Sequence, residues 1–288
     1  MRILYYTSGV SGSGRIVQGI SIYNALVRNK IPADYLLLSS SPLSLLAERE
    51  GVPHAEIPLE NEHQLSAESW PDSQLYHFLD SFRPDFLLVD LLWFPLHHFI
   101  RRLSCRKVFL CHQVDEHFFS LKTPQNRISF QPGDYDLVLA TEPFRSSIPL
   151  QPINPIVIRN RNEILGVEEA RRRLQIEQSR SSCLFTFSGE AADVEEVKKT
   201  FTYLAEEGYQ MVDADGLFPV VDYFNAFNLL ICGAGYNSFW EAIFFQKKSY
   251  FIPRPRKFEN QAYRVAECQD YQFEENGADQ LVDLLRQI

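Results

Sequence analysis

The sequence has few cysteines, and they are not arranged as a cross-linked framework or a metal site. Its 288 residues include five cysteines, an odd number that is spread widely along the chain. The chain contains no Cys-x-x-Cys pair, and this spacing predicts neither a set of disulfides nor a zinc site. We therefore expect buried free thiols and a reducing, cytoplasmic location.

Positive charge and long apolar runs are also scarce. Lysine and arginine number 28 against 37 aspartates and glutamates, a net charge of −9 that argues against a nucleic-acid partner. Apolar runs stay well short of the roughly 20 residues that a membrane helix needs. The chain passes from Met1 directly into a strand-like pattern, so we expect no signal peptide.

What is present is the composition and length of a globular α/β protein. Hydrophobic residues make up 45% of the chain and charged residues 23%, with enough length for two modest domains. Apolar strand patterns alternate with helical ones in both halves, which predicts doubly wound parallel sheets. Four prolines between residues 143 and 155 indicate a linker. We predict two Rossmann-like domains facing a cleft, over residues 1–150 and 151–288.

The most informative stretch begins with the apolar run 229–231, which reads as the end of a buried strand. A small-residue turn at 233–235 follows, and then a helix for which Asn237 and Ser238 are candidate caps. A strand, a glycine turn and a helix in this order direct backbone N–H groups and the positive helix end toward an anion. Glu241, one turn into the helix, can accept hydrogen bonds from the two hydroxyls of a ribose.

Two other strand ends carry small or polar residues of the same kind. A strand at 249–252 precedes a loop with Asn260 and Gln261, whose amide groups suit sugar hydroxyls. An earlier apolar strand runs into Ser188 and Gly189, just before another helix. In a parallel sheet such strand ends lie at one edge, so these residues are candidates for the same site.

The order of these features resembles the donor-binding signature of GT-B glycosyltransferases, and especially of the MurG and UDP-glycosyltransferase group (glycosyltransferase family 28-like). That resemblance implies that Gly235, Asn237 and Ser238 hold the diphosphate of the donor and that Glu241 holds its ribose. It also implies that Asn260 and Gln261 read the donor sugar, although the family often has Asp where Asn260 stands. The alternative is an ordinary strand-to-helix turn with a surface glutamate. Ser188 and Gly189 join the predicted donor site.

The Gly/Ser-rich loop at residues 8–15 resembles the first loop of the same transferases, where Gly-x-Gly-His opens the first helix. Here the corresponding residues are Gly12, Ser13, Gly14 and Arg15, so arginine occupies the histidine position. Arginine does not act as a base at neutral pH, but it can hold a phosphate or a carboxylate. The alternative is a tight surface turn before a solvated helix start.

Two strands of the first half end in residues that can transfer protons. Asp90 ends the apolar run that begins at residue 86, and His112 ends the run that begins at residue 107. Both are predicted to lie at the carboxyl edge of the sheet, which makes them candidates for the catalytic base. The alternatives are a helix cap for Asp90 and a structural role for His112.

The resemblance implies transfer of a sugar from a UDP-sugar to an unknown hydroxyl acceptor, which is a glycan, a lipid or a small molecule. It further implies an inverting reaction without a metal or another cofactor, with the UDP-sugar as co-substrate. Backbone N–H groups at the helix start, with Arg15 or Arg159, are candidates to stabilise the leaving diphosphate. Two alternatives remain: a nucleotide-sugar hydrolase or epimerase on the same scaffold, and a non-catalytic nucleotide-sugar-binding subunit.

An aromatic stretch in the first half has two interpretations. Residues 93–99 contain a tryptophan, two phenylalanines and two histidines, and we predict that they form part of a core helix over 94–103. The alternative is a surface patch that contacts the acceptor or supports a weak membrane-surface association.

Overall fold

The computed structural model describes residues 1–7, 13–41, 45–60, 66–122, 127–187 and 189–288. The chain forms two compact units. The first unit comprises Met1–Ile156 together with Glu275–Ile288, and the second comprises Val157–Glu274.

The first unit is built on a seven-stranded parallel sheet. Its strands, with a separate two-stranded hairpin β6–β7, are β1 (Arg2–Thr7), β2 (Asp34–Ser39), β3 (His54–Glu56), β4 (Phe86–Asp90), β5 (Arg106–Cys111), β6 (Ser120–Lys122), β7 (Arg127–Ser129), β8 (Leu137–Ala140) and β9 (Gln151–Pro152). The order in the sheet is β3-β2-β1-β4-β5-β8-β9. Every residue of β4 is buried, as expected for a strand covered on both faces. The strand order reverses between β1 and β4, which is where ligands bind in open α/β sheets.

The second unit has a four-stranded parallel sheet. Its strands are β10 (Ser182–Thr186), β11 (Gln210–Asp213), β12 (Leu229–Gly233) and β13 (Ser249–Ile252), in the order β11-β10-β12-β13. From β10 the chain moves to β11 on one side and then to β12 on the other. The strand order of this sheet therefore reverses between β10 and β12.

The α-helices of the described residues, in chain order, are α1 (Gly14–Arg28), α2 (Leu45–Arg49), α3 (Gln74–Phe82), α4 (Val167–Arg173), α5 (Ala191–Thr200), α6 (Tyr203–Glu206), α7 (Tyr236–Phe244), α8 (Gln261–Cys268) and α9 (Gly277–Leu285). Helices and strands alternate along both units, and the strands of each main sheet are parallel, so the prediction of α/β units with parallel sheets is confirmed. None of these helices is long and apolar enough to cross a membrane, within the part of the chain that the structure describes.

The predicted helix over residues 94–103 is wrong. The segment forms two short 3₁₀ turns, Phe94–Leu96 and Ile100–Arg102, with Pro95 inside the first. Backbone hydrogen bonds in this segment join residues i and i−3, such as that from the N–H of His97 to the carbonyl oxygen of Phe94 at 3.2 Å, which is the 3₁₀ pattern. The segment is nevertheless core, as predicted: Trp93 is buried and its indole N–H donates to the carbonyl oxygen of Phe118 at 3.2 Å.

The division into units differs from the predicted boundary after residue 150. Helix α9 belongs to the first unit because it contacts the end of α1 and Pro155, which are both part of that unit. Asp279 accepts from the guanidinium of Arg28 at 2.7 Å and from the amide of Asn29 at 2.6 Å. The N–H of Gly277 donates to the carbonyl oxygen of Pro155 at 3.0 Å.

Candidate functional site

Three loops of the second unit lie side by side at the carboxyl edge of its sheet. In the sheet register Thr186 lies opposite Cys232, and Gly233 lies opposite Ile252. The segments that follow β10, β12 and β13 therefore leave the sheet as neighbours. This edge contains the point where the strand order reverses, so it is the expected ligand position of the unit.

The turn after β12 leads directly into α7. The N-cap is Gly235, with φ −64° and ψ 155°, so Asn237 and Ser238 lie in the first turn of the helix and are not its caps. The N–H of Phe239 makes the first helical hydrogen bond, to the carbonyl oxygen of Gly235 at 3.0 Å. The helix end thus directs the N–H groups of its first turn toward the sheet edge, an arrangement that favours an anion.

Glu241 lies in the second turn of α7 and is buried. Its residue surface is only 9% exposed. Burial raises the pKa of Glu241 to about 8, with Asp222 adding to the rise and Arg159 opposing it. Arg159 is itself paired with Asp222 at 3.0 Å, so this arginine lies near Glu241.

The two predicted sugar readers are both engaged in the local structure. The side chain of Asn260 caps α8 by accepting from the N–H of Tyr263 at 2.9 Å. Gln261 is buried, and its Oε1 accepts from the N–H of Arg254 at 2.9 Å. A Cβ added to Gly235 would lie 3.9 Å from Nε2 of Gln261, which places this amide next to the glycine turn.

Sequence reasoning missed two arginines at this edge. Arg264, which is 1% exposed, pairs with Glu259 and donates to the carbonyl oxygen of Ala234 at 2.9 Å. Arg254 pairs with Asp193 of α5. Arg254 follows a predicted strand end in a Pro-Arg-Pro-Arg sequence, a signal that sequence analysis could have used; the buried position of Arg264 has no such local signal.

At the carboxyl edge of the first unit, Asp90 is completely buried. Its Oδ2 accepts from the hydroxyl of Tyr5 at 2.8 Å and from that of Thr7 at 3.4 Å. Its Oδ1 has no hydrogen-bond partner within the described ranges. Burial, followed by the charge of Asp90, raises the pKa of Tyr5 well above its ordinary value. The structure thus places Asp90 at the predicted strand end but away from solvent.

His112 directly follows β5 and is half-buried. Its neighbour Gln113 donates its backbone N–H to Oε1 of Glu142 at 2.7 Å, and Glu142 is buried. Because β4 and β5 are adjacent, Asp90 and His112 end neighbouring strands, as the sequence predicted. Glu142 is a residue that the sequence analysis missed, and it anchors the chain just after His112.

The start of α1 lies close to Tyr5, the residue that donates to Asp90. Ser13 is the N-cap by backbone position, without a side-chain capping bond, and Gly14 opens the helix. Arg15 is half-buried, and its carbonyl oxygen lies 2.9 Å from the hydroxyl of Tyr5. Two other predicted site residues, Gly12 and Ser188, lie outside the described residues.

Carboxylates do not gather into a metal site in the described part of the chain. No group of three or more histidine, cysteine or acidic side chains with metal-binding geometry is found there. The chain has two Asp-x-Asp sequences, Asp134 with Asp136 just before β8 and Asp213 with Asp215 at the end of β11. Asp134 and Asp136 pair with Arg101 and Arg106. Asp213 pairs with Nζ of Lys198 at 2.9 Å. Independence from metal ions stays a prediction.

No protein-family model matches the chain, and no curated protein sequence matches it. Solved structures do match along almost the whole length. The spinosyn forosaminyltransferase SpnP is 12% identical with a TM-score of 0.64, over 99% of this chain and 90% of that one. The glycosyltransferase SsfS6 of Streptomyces sp. SF2575, complexed with thymidine diphosphate, is 12% identical with a TM-score of 0.62 over 100% of both chains.

MurG of Acinetobacter baumannii is also similar, with 12% identity and a TM-score of 0.53 over 99% of this chain and 90% of that one. This chain has the GT-B fold. The fold predicted from the glycine turn, Glu241 and the Asn260-Gln261 pair is thereby confirmed.

Proposed function

We propose that this protein is a glycosyltransferase that moves a sugar from a UDP-sugar to a hydroxyl acceptor. The observation that carries the proposal is the edge of the second sheet, where the glycine turn and the start of α7 precede a buried glutamate, Glu241. This set suits a nucleoside diphosphate, with the phosphates at the helix end and the ribose at Glu241. The GT-B fold supports it.

The residues have distinct tasks in this proposal. The first-turn N–H groups of α7, with the side chains of Asn237 and Ser238, bind the diphosphate and stabilise it as the leaving group. Glu241 accepts from the ribose, and Gln261, next to the glycine turn, contacts the donor sugar. His112 takes the proton of the acceptor hydroxyl as its oxygen bonds to the anomeric carbon and the bond to the diphosphate oxygen breaks.

The proposed reaction is a single displacement at the anomeric carbon, which inverts its configuration. It needs no metal ion, because backbone N–H groups stabilise the leaving diphosphate in place of a cation. SsfS6 is a structure complexed with thymidine diphosphate, so TDP-sugars belong in any donor screen beside UDP-sugars.

A donor panel with and without simple alcohol acceptors tests the proposal. Each UDP- or TDP-sugar is incubated with the protein, and the nucleotide and sugar products are separated and quantified. Nucleotide release that requires an acceptor, together with a glycosylated product, supports transfer. Nucleotide release without any acceptor indicates a hydrolase, and an isomerised donor sugar indicates an epimerase.

The second candidate is a non-catalytic subunit that binds a nucleotide sugar. Two observations favour it: Arg15 stands at the position of the family histidine, and Asp90 is fully buried and bonded to Tyr5. In the same panel this candidate predicts donor binding, seen as an increase in melting temperature, without any product. Stabilisation by NAD or ATP but by no pyrimidine nucleotide would contradict both candidates.

A further inference from the structure

The side chain of Arg254 crosses the carboxyl edge of the second sheet. Arg254 lies two residues beyond Ile252, the end of β13, yet its guanidinium pairs with Asp193 in the first turn of α5, which follows β10. Strand β12 lies between β13 and β10 in the sheet. The arginine therefore spans the end of β12, between the starts of α5 and α7.

The contacts of the guanidinium place it next to the glycine turn. Its carbon lies 5.4 Å from the ring centre of Phe187, and that ring lies 3.8 Å from where a Cβ on Gly233 would stand. A Cβ on Gly189 would overlap the guanidinium. Glycine at position 189 thus leaves the space in which the cation lies, at the point where the strand order reverses.

The charges at this edge explain why a cation is needed there. The start of α5 carries Glu190 at its N-cap and Asp193 in its first turn. Two carboxylates at that helix end would repel a diphosphate bound at the neighbouring helix α7. Arg254 offsets one of them, and a guanidinium has five N–H groups in a planar fork that can hold a carboxylate and a phosphate together.

We propose that Arg254 binds the diphosphate of the nucleotide, an assignment that rests on the proposed function. It adds a cation from β13 to the backbone N–H groups that α7 supplies. Gly189 is the position that admits the arginine, and Asp193 is the residue that fixes its guanidinium over the sheet edge. The positive charge acts on the phosphates and not on the nucleoside.

Calorimetric titration of the full chain with uridine, UMP and UDP tests this assignment. R254M should weaken UDP binding by about 10- to 100-fold, the range expected for a lost charge-assisted hydrogen bond, and leave uridine binding unchanged. R254K, which keeps the charge but not the fork, should lose less. G189A should weaken UDP but not uridine, because a methyl group there displaces the guanidinium.

R256M is the matched control, since Arg256 lies two residues further along the same loop with an exposed side chain. It should bind UDP as the wild type does. Equal UDP affinity in R254M and the wild type would overturn the assignment, as would equal weakening of UDP and uridine. If R254M does not fold, R254K and G189A decide by the same comparison. A wild type that binds neither UDP nor TDP would instead overturn the proposed function.

Discussion

The buried guanidinium of Arg264 donates a hydrogen bond of 2.9 Å to the carbonyl oxygen of Ala234, the middle residue of the glycine turn. The same guanidinium pairs with Glu259, and its carbon lies 5.9 Å from the ring centre of Tyr236. Glu259 also accepts from Nε2 of Gln261 at 3.2 Å. One buried cation therefore joins the turn, the first residue of α7 and the loop after β13. We infer that the shape of the turn depends on Arg264.

Replacing Arg264 with methionine should destabilise the fold and weaken nucleotide binding together. Removal of one partner from a buried ion pair costs about 3 kcal/mol or more, and the partial exposure of Glu259 puts this pair at the low end. The turn then loses the bond at Ala234, so UDP affinity should fall as well. Urea unfolding and UDP titration measure the two effects.

Arg161 offers a control at the opposite end of α7. Its guanidinium donates to the carbonyl oxygen of Phe244 at 2.9 Å, far along the helix from the glycine turn. R161M should lower stability without changing UDP affinity. If R264M unfolds at the same urea concentration as the wild type, or if both variants lose UDP affinity equally, Arg264 has no specific role at the turn.

His112→Ala and Asp90→Asn should each remove turnover and leave UDP binding intact. His112 is proposed to take the acceptor proton, and Asp90 acts through the buried hydrogen bonds from Tyr5 and Thr7. Initial rates with a productive donor and acceptor, beside UDP titrations, measure the difference. His117→Ala is the control, because that side chain is 94% exposed and should keep full turnover. Full turnover in both test variants would show that the base lies elsewhere or that the acceptor supplies it.

The sequence predicted the parts of the fold that local signals determine. Strand β4 is a continuous apolar run, and the turn at 233–235 is marked by its glycines, so both were located correctly. The helix over 94–103 was predicted from its apolar content, but Phe99, with φ −131° and ψ −4°, interrupts it between two 3₁₀ turns. The capping role of Asn260 was also visible in principle, since a cap precedes its helix directly.

The rest depended on contacts between distant residues. Arg254 and Asp193 are 61 residues apart, and Arg159 and Asp222 are 63 apart. Nothing in one sequence indicates such pairs. The burial of Glu241, and hence its raised pKa, follows from the packing of α7 and from the position of Asp222. The attachment of α9 to the first unit likewise rests on Asp279 meeting α1.

Glu241→Gln should change the pH dependence of folding stability. The pKa of Glu241 is raised from 4.5 to about 8 by burial and then by Asp222, so the folded state holds its proton more tightly than the unfolded state does. Stability therefore falls as pH rises from about 4.5 to about 8, and this loss reaches up to a few kcal/mol. Glutamine does not ionise, so the variant lacks this loss.

Urea unfolding at pH 5 and pH 9 checks the expectation. The variant should gain stability relative to the wild type at pH 9 but much less at pH 5. Glu267→Gln, on the exposed surface of α8, is the control and should follow the wild type at both values. A constant difference between Glu241→Gln and the wild type at the two pH values would show that the folded protein does not hold a proton at Glu241.

Glu241→Ala should weaken UDP binding and abolish the preference for ribose. At pH 9, above its pKa of about 8, Glu241 is ionised, and two hydrogen bonds to such a charged acceptor are worth on the order of 1.5–3 kcal/mol each, which water partly replaces in the variant. We expect a loss of about 2–3 kcal/mol, or roughly 30- to 150-fold in affinity. Titrating UDP against 2′-deoxy-UDP isolates the contact, because only UDP has the second hydroxyl.

The wild type should bind UDP more tightly than 2′-deoxy-UDP, whereas Glu241→Ala should bind the two equally. Ser238→Ala supplies the matched control on the same helix, since Ser238 lies in the first turn of α7, where the phosphates are proposed to bind. That variant should weaken both nucleotides by the same factor and so keep the preference of the wild type. If the wild type shows no preference, Glu241 does not hold the ribose. The proposed donor site then loses the contact that distinguishes it from an ordinary capped helix.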